Sequence, residues 1–109
     1  MTELKDKKYF RESYDKISES LLKEKVKAIC KEQGAWYGMP VAGPYGRAGL
    51  PDFMILHRGC FMGIETKTEK GKATKLQQVA LDAITAAGGV GMVVRPSNLW
   101  VFEDLLRSL

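Results

Sequence analysis

Histidine is almost missing from this chain of 109 residues; His57 is the only one. That scarcity excludes hydrolases and nucleases that work through a catalytic histidine, and zinc centres built on imidazole. His57 falls in a tight turn between two apolar runs and is expected at the surface, where it could meet DNA. Cysteine is nearly as scarce. Cys30 and Cys60 have neither metal-ligand spacing nor the look of a disulfide framework. Cys30 lies on a helical apolar stripe and Cys60 on the apolar face of a strand, so both are expected as buried thiols. No apolar run approaches the roughly 20 residues that a membrane-spanning helix needs, so no membrane partner is expected. The polar start, Met1 to Lys8, lacks the apolar core of a signal peptide, and a cytoplasmic location is the expectation. Nucleotide-binding loops are missing too. Gly71-Lys72 would need a glycine five residues earlier, where Thr66 stands. Gly88-Gly89-Val90-Gly91 leads from helix into strand, the reverse of a dinucleotide loop. There are no internal repeats or low-complexity segments.

What is present suits one small domain with a single core. Hydrophobic residues make up 45% of the chain, an ordinary share for a globular protein. Seventeen Lys and Arg against thirteen Asp and Glu leave a net charge of +4, which suits a polyanionic partner and equally a solvated basic surface. Residues 1–12 are charged and expected to be flexible, with Tyr9 and Phe10 as the two that would dock, and the domain proper spans 13–109.

The stretch from Gly49 to Lys67 carries the strongest local signal. Phe53-Met54-Ile55-Leu56 and Phe61-Met62-Gly63-Ile64-Glu65-Thr66-Lys67 flank the turn His57-Arg58-Gly59-Cys60, which reads as a β-hairpin. Residues facing across such a turn keep a constant index sum. With His57 opposite Cys60, Asp52 lies opposite Glu65. Phe53, Ile55, Cys60, Met62 and Ile64 then share one face, while Asp52, Met54, Leu56, Phe61, Gly63, Glu65 and Lys67 share the other. A three-residue turn would slip the pairing by one and turn a strand inside out, which the pattern disfavours. Two carboxylates set opposite one another repel. A hard divalent cation removes that repulsion, and Mg²⁺ is commonly held by one or two carboxylates with water and phosphate completing its shell. Lys67 follows Glu65 by two residues, about 7 Å along the same face, and brings an ammonium alongside.

The rest of the chain falls into alternating elements. A helix runs to about Gln33, with Ser13 or Ser18 as N-cap and Leu22, Val26, Ile29 and Cys30 on one face. Glu19 falls on that same stripe. Spacing alone leaves two readings, an exposed first-turn acid favoured by the helix dipole or an inward acid that binds metal. Ala35-Trp36-Tyr37 begins a short strand reaching towards Val41. A glycine- and proline-rich loop from Gly38 to Pro51 carries Tyr45 and Arg47, either as polar residues facing water or as a flap that meets phosphate or base. Thr74-Lys75-Leu76-Gln77 has the form of a capping box, opening a helix to about Ala87 with Leu76, Val79, Ala80, Ala83 and Ile84 as its apolar face. Gly88-Gly89 ends it, and Val90 to Val94 reads as a buried strand. Pro96-Ser97 starts a last helix, capped by Ser97, to about Leu106. This order makes an α/β fold, a small mixed sheet flanked by helices.

Asp52, then Glu65-Thr66-Lys67 one hairpin later, resembles the active-site motif of the PD-(D/E)XK nucleases, and the ordered set of motifs resembles the VRR-NUC (virus-type replication-repair nuclease) branch. That set comprises Tyr45-Gly46-Arg47-Ala48-Gly49-Leu50-Pro51-Asp52, Ile64-Glu65-Thr66-Lys67, Gly71-Lys72-Ala73-Thr74-Lys75-Leu76-Gln77 and Ala87-Gly88-Gly89, after a helix carrying Glu19 fifteen residues before Gly34. The resemblance implies a restriction-endonuclease-like PD-(D/E)XK core and Mg²⁺- or Mn²⁺-dependent hydrolysis of DNA. It implies Asp52, Glu65, the Thr66 carbonyl and Glu19 as metal ligands, with Lys67 and Gln77 as further catalytic residues. Tyr45, Arg47, Lys70, Lys72 and Lys75 would bind nucleic acid. Stand-alone viral members, those of phage included, are homodimers that cut branched DNA such as Holliday junctions. A homodimer acting on branched or duplex DNA, in the host cytoplasm for a viral protein, is therefore the expectation.

Overall fold

In a computed structural model, residues 8–41 and 48–109 are described. Among these residues, four strands form a mixed sheet, and three α-helices cover its two faces. The strands β1 (Trp36–Gly38), β2 (Phe53–His57), β3 (Cys60–Thr66) and β4 (Val90–Val94) lie side by side in chain order. The first two pairings are antiparallel and β3–β4 is parallel. The helices are α1 (Glu19–Gln33), α2 (Lys75–Ala86) and α3 (Leu99–Ser108). This is the α/β architecture that the order of motifs implied.

The hairpin register is the expected one: His57 faces Cys60 and Phe53 faces Ile64. The turn is the two-residue Arg58-Gly59, both with positive φ (48° and 83°). Two positive φ values in succession match the right-handed twist of the flanking strands. Phe53, Ile55, Met62 and Ile64 are all wholly buried on one face. Against them pack Leu22, Val26, Ile29 and Cys30 of α1 and Leu99, Phe102 and Leu106 of α3. Burying each such side chain is worth about 1.5–3 kcal/mol. His57 belongs to this same face and is buried, so the expected surface histidine is a strand residue. The turn proper is one residue further on. Cys30 is buried, which pushes its thiol up to about 11, whereas Cys60 at the strand start is only half-buried. Phe10 joins the core, and Lys8 and Tyr9 donate hydrogen bonds to Glu103 Oε1 of α3, with Arg107 3.2 Å from Oε2.

The opposite face is covered by α2, and here the expected packing face is corrected. Leu76 and Val79 are 59% and 56% exposed, and Ala83 is exposed as well. The buried line of the helix is Leu81, with Gln77 and Ile84 half-buried beside it. Gly63 and Gly91 account for the difference. A Cβ at Gly91 would overlap the Leu81 carbonyl, its carbon only 2.7 Å away, and one at Gly63 would run into Ile84. The missing side chains open a slot in the sheet, and the helix drops into it at Leu81. Thr85 Oγ accepts the Gly91 N–H at 3.0 Å and fastens the far end.

Two smaller expectations change. β4 lies at the edge of the sheet among the described strands, and only Val94 of it is fully buried. Ser97 does not cap the last helix. Residues Pro96–Asn98 form a short 3₁₀ turn, and Asn98 accepts the Arg95 N–H while donating to the Val93 carbonyl. Among the described residues no helix is long and apolar enough to cross a membrane.

Candidate active site

The β2–β3 pairing ends at Phe53–Ile64, and beyond it the two chains diverge. Asp52 stands just before β2, while Glu65 and Thr66 close β3 and Lys67 follows. The Lys67 N–H bonds to the Val94 carbonyl, so alternate amides of this strand point towards β4. The Thr66 amide points the other way, where β2 supplies no carbonyl. It donates instead to Asp52 Oδ2 at 2.9 Å, and the Thr66 hydroxyl donates to the same oxygen at 2.6 Å.

Glu65 points to the α2 face and is buried, at 2% exposure of its side chain. Its Oε2 accepts from Gln77 Nε2 at 2.9 Å and lies 3.6 Å from Lys67 Nζ. Its Oε1 is buried with no hydrogen-bond partner. Burial raises the Glu65 carboxyl above its ordinary value and the Asp52 charge adds to that, while Lys67 and the Asp52 backbone amide pull it back. A raised folded-state value means that protonation favours the folded chain. Stability of the metal-free protein therefore falls as pH rises through the Glu65 titration and recovers below the unfolded carboxylate's value. Glu65→Gln should remove that slope and make the metal-free protein more stable at neutral pH, as read by denaturant unfolding across pH 4–8.

Gln77 does two jobs with one amide group. Its backbone N–H and Oε1 complete the capping box with Thr74, at 3.2 and 2.8 Å. With Oε1 committed to the Thr74 N–H, its Nε2 is left to face Glu65. Capping and site roles are thus combined at one residue. Gln77→Ala should lower stability by about 1 kcal/mol through the lost cap and the lost Glu65 bond. Chemical denaturation checks the effect.

Among the described residues, the side-chain and amide donors to each carboxylate meet one oxygen, Oδ2 of Asp52 and Oε2 of Glu65. Among the described residues, Lys23 of α1 is the cation paired with Asp52 Oδ1, its Nζ 4.0 Å away. This donor set fits a hard divalent ion that takes few protein carboxylates and completes its shell with carbonyl, water and phosphate oxygens. Among the described residues no three His, Cys, Asp or Glu side chains converge as a metal-holding group. Glu19, the first residue of α1 behind the Ser18 cap, is half-buried and is not gathered with Asp52 and Glu65 into such a trio.

Lys70, Lys72 and Lys75 are exposed along the connection from β3 to α2. Arg95 holds that connection by donating to the carbonyls of Thr68, at 2.8 Å, and Gly71. Tyr45 and Arg47 lie outside the described residues. Sequence reasoning passed over Lys23, Arg95 and the side chain of Thr66. Lys23 had a usable signal, since it follows Glu19 by four residues and shares its side of the helix. Arg95 and the Thr66 hydroxyl act across long chain separations and had none.

No family model matches the sequence, and no curated protein matches it. A search of solved structures does find a likeness. One chain, described as a VRR_NUC domain, superposes with a TM-score of 0.65 at 23% identity, over 83% of this chain and 94% of its own length. The fold is that of a VRR_NUC domain. The mixed sheet and the helices that flank it are the parts that this fold shares.

Proposed function

We propose that this chain is a nuclease that hydrolyses DNA phosphodiesters with Mg²⁺ or Mn²⁺ as cofactor. The observation that carries the reading is the pair of carboxylates, Asp52 and Glu65, each tied down through one oxygen and offering the other, with the Lys67 ammonium alongside. The VRR_NUC fold supports it. Asp52 and Glu65 would hold the ion, with the Thr66 carbonyl as a further oxygen ligand and Glu19 acting through water or marking a second position. The ion would supply an acidified water and counter the charge developing on the phosphate. Lys67 orients or deprotonates the attacking water and neutralises the anionic transition state. Gln77 keeps Glu65 in place. Lys70, Lys72 and Lys75 track the phosphate backbone, and Tyr45 and Arg47 supply further contacts to phosphate or base.

The finer reading is a structure-specific endonuclease acting on branched DNA such as Holliday junctions, as a homodimer that presents two sites to a two-fold substrate. It follows from the resemblance to stand-alone VRR-NUC nucleases. A panel of plain duplex, flap and four-way junction, with and without Mg²⁺ or Mn²⁺, tests both levels. Cleavage should require the ion and be fastest on the junction, and solution mass should be that of a dimer. A monomer that prefers flaps or nicks plain duplex would refute the junction reading alone. Absence of cleavage on every substrate, with no Mg²⁺ or Mn²⁺ binding by calorimetry, would make the chain a nucleic-acid-binding accessory protein.

A further inference from the structure

We infer that the Thr66 side chain is a positioning residue of this centre, because its hydroxyl decides which oxygen of Asp52 is presented to the ion. The inference rests on the metal-dependent reading above and adds to it a role for a side chain facing away from the reaction. Thr66 is wholly buried, and its Cβ belongs to the core face of β3 along with Met62 and Ile64. Nothing about a strand residue on the core face would ordinarily connect it with chemistry on the other side. The connection arises because Asp52 lies off the end of the ladder, one residue before β2. Its carboxylate swings to the strand end, where Thr66 offers two donors to one oxygen, the amide at 2.9 Å and the hydroxyl at 2.6 Å.

Two donors converging on Oδ2 fix the carboxylate in rotation as well as in place. The amide alone would leave it free to exchange its oxygens. The hydroxyl, as a second donor to the same oxygen, removes that freedom and leaves Oδ1 as the oxygen presented, with Lys23 Nζ 4.0 Å from it. Glu65 is held in the same manner by different means: Gln77 takes Oε2 and Oε1 remains without a partner. The two carboxylates are thus preset to bind through one oxygen each. Presetting matters because turning a carboxylate at the moment of binding costs affinity, and removing a group that orients a ligand typically weakens metal binding by about 10- to 100-fold. Thr66 therefore serves through three groups. Its amide and hydroxyl aim Asp52, and its carbonyl would serve as a ligand itself.

The test compares side chains that differ in the hydroxyl at near-constant size: native Thr66 with Thr66→Val, and Thr66→Ser with Thr66→Ala. Mn²⁺ affinity is measured by calorimetry or electron spin resonance on the metal-free full chain, without substrate, and cooperative thermal unfolding verifies the fold of each variant. Both hydroxyl-bearing chains should bind Mn²⁺ within about threefold of one another, and both chains lacking it should bind about 10- to 100-fold more weakly. A purely structural role for Thr66 would alter the unfolding temperature and leave Mn²⁺ affinity equal within each pair, and that result overturns the inference. Asp52→Asn serves as the control on the underlying reading. If it abolishes Mn²⁺ binding while the Val and Ala variants bind normally, the positioning role fails and the metal centre stands. If Asp52→Asn binds Mn²⁺ unchanged, the centre itself is wrong and the inference falls with it.

Discussion

Glu65→Ala and Lys67→Ala should each lower divalent-dependent DNA cleavage by roughly 10²- to 10³-fold, the scale on which a preset electrostatic group acts in a transition state. The two variants fail for different reasons, and Mn²⁺ binding separates them. Glu65 offers the buried oxygen without a partner, so its loss should abolish Mn²⁺ binding along with cleavage. Lys67 has its ammonium 3.6 Å from the other oxygen of Glu65, where in the proposed centre it would neighbour the ion without ligating it. Its removal should leave Mn²⁺ bound at least as tightly, since a competing positive charge is gone, while cleavage still collapses. A solvated salt bridge at a sheet end would behave otherwise. Such pairs contribute only about 0–1 kcal/mol of stability and nothing to catalysis. The Lys67 side chain is only 15% exposed and Glu65 far less, so the pair is not a solvated one. Cleavage that survives both substitutions would end the proposal.

Gly91→Ala should destabilise the protein by about 2–3 kcal/mol, as an extra carbon does in a closely packed interior. In a domain of this size that is a fall of the order of 10 °C in melting temperature. The reason is the direct approach of α2 to β4, with the backbone of Leu81 where the new methyl would lie. Main chain cannot rotate aside as a flexible side chain can, so the whole helix must shift. Gln77 stands one turn before Leu81 on the same helix and would be drawn off Glu65. The variant should therefore lose cleavage beyond what its lower stability explains. Melting curves and rates taken well below the transition measure the two effects separately. A Gly91→Ala protein with native stability would show that the glycine slot does not set the height of the helix.

The hairpin was legible because alternation and turn chemistry agreed. Arg58-Gly59 supplies the positive φ values and Phe53, Ile55, Met62 and Ile64 the buried face, so one register satisfied both. The α1 stripe of Leu22, Val26, Ile29 and Cys30 was legible for the same kind of reason, a local period matching a single buried side. The capping box at Thr74 and Gln77 is likewise a device contained within four residues. The buried side of α2 was not legible. Its sequence spreads apolar residues over more than half of the helix surface, and the choice among them was made by two glycines in other elements. His57 was misplaced by one step of the same hairpin, since the ladder includes it and buries it with Phe53 and Ile55.

What the amino-acid order determined by itself was everything that depends on neighbours along the chain: the helices and strands, the hairpin register, and therefore the placing of Asp52 and Glu65 at one end of the sheet. What only the tertiary structure decided was the division of labour among oxygens and donors there. Asp52 meets Thr66, Glu65 meets Gln77 and Lys23 stands by Asp52, across separations that no local period encodes. The physical reason is that a hydrogen bond is selected by a few tenths of an ångström in three dimensions, and that precision comes from how the helices settle on the sheet.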